Sequence, residues 1–452
     1  MSQLSFSEFD YVTSKQWKQR IQFDLKGAEY NDTLVWESPE GIKIKPFYHV
    51  DEFKNTNQNF AKNNGFEIVQ NIFVHDVNKT IKRTHEVLKR GAESIRFTIE
   101  NDQVSFENLF QSLPKSIPYY VHLPFLSIEY LQSIENFNLI QGFDLHIVLD
   151  PIEQLMTDGN WFINMEQDFK VLNHVNQNFK SFGFITIKNL HFQNAGANMV
   201  QQLAYSLAHL NEYLNRIKNL NSPIVIEIAI GGHYFFEIAK IKALRWVVQT
   251  LLNEYEIYTP FKILVTPTKR NKTIYDYNLN MLRTTTECMS GILGGADGIY
   301  NLPYDALYHK DNEFGDRIAR NQLLILKHES YLDKNLNPTE GTYFIESITE
   351  QLAEKALILF KEIEKNEGLI TQLIEGTIQR KIHESAQKEQ ELFDSGKEVL
   401  IGINKHPNPK DRMKNDLELY PFLKKKTRKT LITPIIEKRL AEKMEQDRLT
   451  QE

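Results

Sequence analysis

His191, just past the apolar run FITIK, and Glu227, inside the apolar run IVIEIAI, are the side chains whose type and setting could do chemistry. An imidazole beyond the carboxyl end of a strand can donate a hydrogen bond to a carbonyl oxygen, and it can equally serve local hydrogen bonding alone. A carboxylate within an apolar strand must be paired or solvated, so Glu227 is expected in an interior ion pair rather than as a catalytic base. The 13 histidines contain no H-E-x-x-H and no other compact ligand spacing, and no metal site is expected. Cys288 is the only cysteine, which excludes an intramolecular disulfide and a thiolate-rich zinc site. Beside Met289 on a helical stretch, it reads as a small core residue. GILGGADG, with Gly291, Gly294, Gly295 and Gly298, has the composition of a phosphate cradle. It precedes a strand rather than following one, so a tight helix-to-strand turn is expected instead.

Alternating elements must position these residues. Phe184, Ile185 and Ile187 form a short strand; Val200, Leu203, Leu207, Leu210, Leu214 and Ile217 then recur at spacings of three and four, as one face of a helix does. Ile224 to Ile230 is almost continuously apolar, like a strand covered on both faces, and a second helix runs through Phe236, Ala239, Ala243 and Val247. Parallel strands need such crossovers. The same alternation gives eight candidate strands, at about 66–74, 94–99, 118–123, 143–149, 183–189, 223–230, 261–266 and 296–300. Helices are expected between them, for example over 77–90, 106–113, 126–134 and 279–290. Eight strands suffice to close a barrel, so the expected fold class is α/β, a (β/α)8 TIM barrel, with a doubly wound sheet as the alternative.

At 452 residues and 41% hydrophobic composition the chain can bury a large core, and a net charge of -6 with both signs interspersed leaves no broad basic surface for nucleic acid. The amino terminus has acidic residues and no long apolar stretch, so neither a signal peptide nor a membrane span is expected, and the location expected is cytoplasmic. Residues 1–60 read as an arm, with a helix over 14–25 and a turn at Ser38-Pro39-Glu40-Gly41. Residues 61–404 read as the barrel with appended helices: one over 316–331, one behind a capping box at Ser347 to Glu350, and one over 369–393. Residues 405–452 read as a lysine-rich tail, broken by Pro407, Pro409, Pro421 and Pro434 and ending in one helix. Its cluster Lys424-Lys425-Lys426, with Arg428 and Lys429, is expected to be solvated or to dock a partner rather than to bind lipid or nucleic acid.

LHFQNAGANMVQQLAYSLAHLNEYL and IAIGGHYFFEIAKIKALRWV resemble consecutive segments of the methylmalonyl-CoA mutase barrel, closest in wording to the family's smaller subunit, which lacks the cobalamin domain. Trp17, Leu25-Lys26-Gly27 and Glu40 to Tyr48 are similar to the family's lead-in segment. DRIARNQLLILKHESYLDKNLNPTEGTYF, with its Asn337-Pro338 turn and Gly341-Thr342-Tyr343-Phe344, is similar to its closing segment. The resemblance covers roughly residues 17 to 404, and it carries two departures. The D-x-H-x-x-G motif whose histidine coordinates cobalt is not found, and VDEFKNTNQNFAKNNG stands where catalytic chains carry an RG-x-Y-x-T-M-Y stretch along the acyl-CoA.

The resemblance therefore implies a small subunit of a heterodimeric, adenosylcobalamin-dependent methylmalonyl-CoA mutase, an isomerase of propionate metabolism that interconverts succinyl-CoA and (R)-methylmalonyl-CoA. It implies a homologous large catalytic subunit as partner. The cofactor is expected on that partner and the acyl-CoA substrate in the complex, no cofactor-binding residue is expected here, and the isolated chain is expected to be inactive. Where catalytic chains place a tyrosine-histidine pair on the substrate carbonyl, this chain has Leu190-His191, so His191 is the catalytic candidate if the chain is active. Two alternatives are a self-sufficient acyl-CoA barrel completed by a separate cobalamin-binding chain, and a non-enzymatic binding or chaperone-like paralogue. Trp17, Leu34, Trp36, Phe47 and Tyr48 in the arm, and Tyr420, Phe422, Leu423, Ile435 and Ile436 in the tail, are expected to dock the partner; the alternative is that both segments fold back on their own barrel.

Overall fold

A computed structural model describes residues 10–53, 65–334, 337–423 and 428–452. Most of the segment VDEFKNTNQNFAKNNG, and Lys424 to Lys426 of the basic cluster, lie outside the described residues. An antiparallel hairpin, β1 (Trp36–Glu37) and β2 (Lys43–Ile44), belongs to the arm. The eight barrel strands are β3 (Glu67–Phe73), β4 (Ser94–Thr98), β5 (Tyr119–His122), β6 (Leu145–Leu149), β7 (Gly183–Lys188), β8 (Ile224–Ile230), β9 (Phe261–Pro267) and β10 (Gly298–Ile299). They are parallel, pair in chain order, and close through β10 against β3. All eight lie where the apolar runs place them, so the closed barrel is the fold and the doubly wound alternative falls.

The helices are α1 (Ser14–Asp24), α2 (Tyr30–Leu34), α3 (Val77–Lys89), α4 (Phe106–Phe110), α5 (Ile128–Gln141), α6 (Pro151–Asp158), α7 (Met165–Asn178) and α8 (Leu190–Asn194). They continue with α9 (Met199–Arg216), α10 (Tyr234–Glu254), α11 (Leu279–Leu293) and α12 (Glu313–Leu324), which runs into one π-turn, Ile325–Glu329. Last come α13 (Tyr343–Lys365), α14 (Gly368–Ile374), α15 (Thr377–Asp394) and α16 (Glu442–Thr450). The capping box at Ser347 to Glu350 is not a helix start. Gly341 takes a φ of 75°, Thr342 is extended, and α13 begins there, a turn earlier, because Ile345 and Ile348 have core to bury in. The helix expected over 369–393 is two, broken where Gly376 takes a φ of 76°.

Strand alternation divides the apolar core in two. The outward residues of β8, Ile224, Ile226, Ile228 and Ile230, join the large cluster between sheet and helices. Its inward Val225 joins Val69, Tyr120, Val148, Leu264 and Tyr300 in a separate cluster inside the barrel, topped by Leu190. Gly291 of α11 and Gly298 of β10 lie where a Cβ would approach Val265 to 3.0 Å and Leu264 to 2.8 Å, and Gly295 takes a φ of 87° between them. The glycine-rich run is therefore a close-packed helix-to-strand turn at the barrel's amino-terminal end. Cys288, earlier on α11, is wholly buried, its thiol donating to Asn301 Oδ1 at 3.4 Å.

Candidate functional site

Charge runs up the inside of the barrel. Near the amino-terminal end Lys262 Nζ donates to Glu67 Oε1 at 2.8 Å and to the Tyr120 hydroxyl at 3.2 Å. Above them Arg96 of β4 grips Glu227 of β8 with two parallel hydrogen bonds, 2.8 and 3.0 Å, and the Tyr300 hydroxyl donates to Glu227 at 3.3 Å. Glu227 is thus the interior ion pair expected of it. Arg96 was not singled out, although an arginine in the short apolar strand SIRFT is the same kind of signal. With Val69, Val148, Val225 and Leu264 packed around these pairs, the barrel axis is filled by side chains.

At the carboxyl-terminal mouth, Lys188 Nζ donates to Glu153 Oε1 at 2.9 Å and to His122 Nε2 at 3.3 Å. An ammonium has no lone pair to offer, so His122 Nε2 accepts and its ring proton is on Nδ1. Burial, and then Lys188 and Arg96, hold this imidazole well below its ordinary pKa, so it is neutral. Burial also raises the Glu153 carboxyl, against the opposing pull of Lys188. Asp150 fixes the frame: it caps α6 through the Glu153 N–H at 3.0 Å and accepts from the Lys188 N–H, the Tyr213 hydroxyl and His209 Nε2. His122, Asp150, Glu153 and Lys188, with Leu123, Pro124, Val148 and Phe162, line a cavity of about 170 Å³. It offers donors and the carboxylates of Asp150 and Glu153 to a small polar molecule. None of His122, Glu153 and Lys188 was singled out from sequence, because they come from three separate βα units with no shared spacing. Among the described residues, no group of three or more His, Cys, Asp or Glu side chains is placed to hold a metal ion.

His191 is not part of that cavity. Leu190 points into the barrel interior, while His191 turns into the packing beneath the tail, 97% buried with its ring 4.3 Å from Phe192. Its Nε2 has no hydrogen-bond partner, and burial holds the ring at a pKa of about 3. A neutral imidazole buried under packed chain is poorly placed to reach a substrate carbonyl.

The tail folds back over this same end. The Leu431 and Ile432 N–H groups both donate to Gly159 O, after β6; Ile435 N–H donates to Met156 O, and Lys438 N–H to Asn194 O, after β7. Arg270, after β9, donates to Lys438 O and accepts from Leu440 N–H. Phe422 and Ile435 are buried, which corrects the expectation that they dock a partner; Tyr420 and Ile436 stay exposed. The fold-back takes the extended chain between Gly159 and Arg270, so a bulky cofactor approaching over those loops meets the tail first. No helix of the described residues is long and apolar enough to cross a membrane.

Residues 138–450 match the sequence model of the methylmalonyl-CoA mutase family. The chain is 28% identical over 442 residues to the methylmalonyl-CoA mutase small subunit of Porphyromonas gingivalis, covering 89% of this chain and 71% of that one. It is 26% identical over 314 residues to the large subunit from the same organism, covering 66% and 44%. With the methylmalonyl-CoA mutase of Cereibacter sphaeroides it shares 31% identity over 273 residues, covering 57% of this chain and 38% of that protein. The chain thus spans less than half the length of the last two relatives.

Proposed function

Because this chain belongs to the methylmalonyl-CoA mutase family, we propose that it is the small, non-catalytic subunit of an adenosylcobalamin-dependent mutase. Its partner is a homologous larger chain that holds the cofactor and interconverts succinyl-CoA and (R)-methylmalonyl-CoA in the cytoplasm. Bound adenosylcobalamin supplies the radical chemistry. The observation that carries the reading is the filled barrel axis: the Arg96–Glu227 pair and Tyr300 occupy the space a long acyl-CoA arm would need if it ran through the barrel. The paired small and large relatives in one organism support the partnership. His191, buried and with its Nε2 unpartnered, is a retained position without catalytic duty.

Purification from the native source with a stoichiometric larger mutase chain is the expected result, and the single chain alone should neither bind adenosylcobalamin tightly nor turn over methylmalonyl-CoA. In the assembled enzyme His191→Ala should leave turnover within about threefold, against the roughly 10²-fold loss of a general acid or base. Cobalamin-dependent turnover by the single chain would falsify the proposal; a small cobalamin-binding protein as the copurifying partner would favour the self-sufficient barrel instead.

A further inference from the structure

The mouth cavity holds polar groups whose hydrogen bonds are not all made. Strand alternation turns His122 and Lys188, the last residues of β5 and β7, toward it, as it turns Tyr120 two residues earlier into the barrel. An ammonium has three N–H donors; Lys188 uses two, on Glu153 Oε1 and His122 Nε2, and one is left. The neutral His122 ring keeps its proton on Nδ1, and among the described residues neither that N–H nor Glu153 Oε2 has a hydrogen-bond partner. Neither atom is sealed from solvent as His191 Nε2 is. Asp150, by contrast, already accepts four hydrogen bonds, as many as a carboxylate has lone-pair sites for. It frames the cavity and has little left to offer a ligand.

The free groups therefore stand around one ammonium: two donors, from Lys188 and His122, and one acceptor, on Glu153. Leu123, Val148 and Phe162 supply an apolar side, and Glu153 and Lys188, each 15% exposed, are reached from solvent. The Arg96–Glu227 pair closes the axis below, with Glu227 the cross-strand neighbour of Lys188, so an occupant ends there rather than running on through the barrel. At about 170 Å³ the space is well under the roughly 300–1,000 Å³ of sites for drug-sized ligands, and its occupant has few atoms.

We infer that this cavity binds a short aliphatic acid carrying a hydrogen-bond donor on the carbon next to its carboxylate, a 2-hydroxy or 2-amino acid. The ligand's carboxylate accepts from Lys188 and from His122 Nδ1, its hydroxyl or ammonium donates to Glu153, and its alkyl group lies against Leu123, Val148 and Phe162. The donor matters because a bare carboxylate placed here would meet the Glu153 carboxylate with nothing between two like charges. The inference goes beyond the two-chain reading and does not depend on it: a non-catalytic subunit can hold a small ligand of its own.

Calorimetry on the full chain with 2-hydroxybutyrate, 2-aminobutyrate and butyrate tests this, because the three share one carbon skeleton and differ only in the donor. At least one of the first two should bind with a Kd of about 1 mM or tighter, and butyrate at least tenfold more weakly. Binding of 2-hydroxybutyrate alone assigns the site to hydroxy acids, and of 2-aminobutyrate alone to amino acids. Lys188→Met, which removes the ammonium, and Thr157→Phe, which fills the cavity from α6, should each weaken the bound acid at least tenfold. Thr157 is only partly buried, so its variant carries the test should Lys188→Met fail to fold. Absence of binding by both substituted acids at about 10 mM, butyrate binding as well as they do, or a Thr157→Phe chain that binds as the wild type does overturns the inference and leaves the two-chain reading standing.

Discussion

The arm and the tail are alike in composition, and the arm's first helix and the tail are opposite in fate. Each is an irregular, lysine-bearing segment outside the barrel with several large apolar residues. The tail sinks Phe422, Ile432 and Ile435 into its own chain, whereas α1 buries nothing. Backbone chemistry makes the difference. The loops after β6 and β7 present carbonyl oxygens, at Met156, Gly159 and Asn194, to an extended chain whose N–H groups need acceptors. An α-helix has spent most of its own on itself, so α1 is left to be held by side chains and by the free N–H groups of its first turn. It has Trp17 against Phe47, at 6.2 Å between ring centroids, and the Ser14 N–H donating to Asp51 at 2.8 Å. Apolar content alone therefore does not say which segment a barrel will keep.

The largest effect that would break this comparison is at the centre of the fold-back. Ile435 is 5% exposed, and Ile435→Ala should cost about 2–5 kcal/mol of the isolated chain's stability in a denaturant titration. It should also open residues beyond 428 to limited proteolysis. A loss under about 1 kcal/mol would mean that the tail rests on the barrel without being part of its core.

Gly159 tests the same contact from the barrel's side. Its φ is 86°, and a Cβ there would come within 2.8 Å of Ile432 O and 2.9 Å of Thr430 Cβ. Gly159→Ala should cost about 1–3 kcal/mol and raise the proteolytic sensitivity of the tail, because both the backbone strain and the overlap fall on the docked segment. Destabilisation without any change in the tail would confine the effect to the α6 turn.

Much of this frame was legible in the sequence and some was not, for reasons that differ residue by residue. The eight strands announce themselves because a barrel strand is covered on both faces, and the run Ile224 to Ile230 has to be apolar throughout. Glu227 stands out against that run for the same reason. Its partner Arg96 lies 131 residues away in sequence, a distance at which no local pattern operates. The mouth cavity was illegible on the same ground, since His122, Glu153 and Lys188 are brought together only by closure of the sheet. Fold-back of the tail stood in the sequence only as the alternative to docking, and its contacts were illegible for another reason: its acceptors are backbone oxygens, which every loop has and no sequence displays.

A smaller effect concerns the histidine beneath the tail. Burial holds His191 at a pKa of about 3 when folded, and His146, hydrogen bonded to Thr186 inside the barrel, is held at about 3 as well. Unfolding returns each to about 6.5. Between these limits the unfolded chain binds more protons than the folded one, so stability rises with pH from about 3 to about 6.5 and is lost on acidification. Each histidine contributes a slope of at most about 1.4 kcal/mol per pH unit. Asp316, raised to about 6 by burial against the pull of Arg83, opposes them between about pH 4 and 6. His191→Leu should reduce the slope above pH 6, where Asp316 no longer opposes it. An unchanged slope there would mean that water already reaches the ring past the tail.

The smallest effect is expected in the arm, and it is the most pointed. Trp17 is half exposed and touches a single aromatic ring, so Trp17→Ala should change the stability of the isolated chain by about 1 kcal/mol or less. Hydrogen exchange sharpens the statement. Capped at Thr13 but with no residue buried, α1 opens locally without cost to the barrel, and its amides should exchange orders of magnitude faster than those of α9, where 14 of 18 residues are buried. If the amides of 14–24 are instead as protected in the isolated chain as those of α9, the arm is held as firmly as the tail, and the contrast between the two segments is wrong.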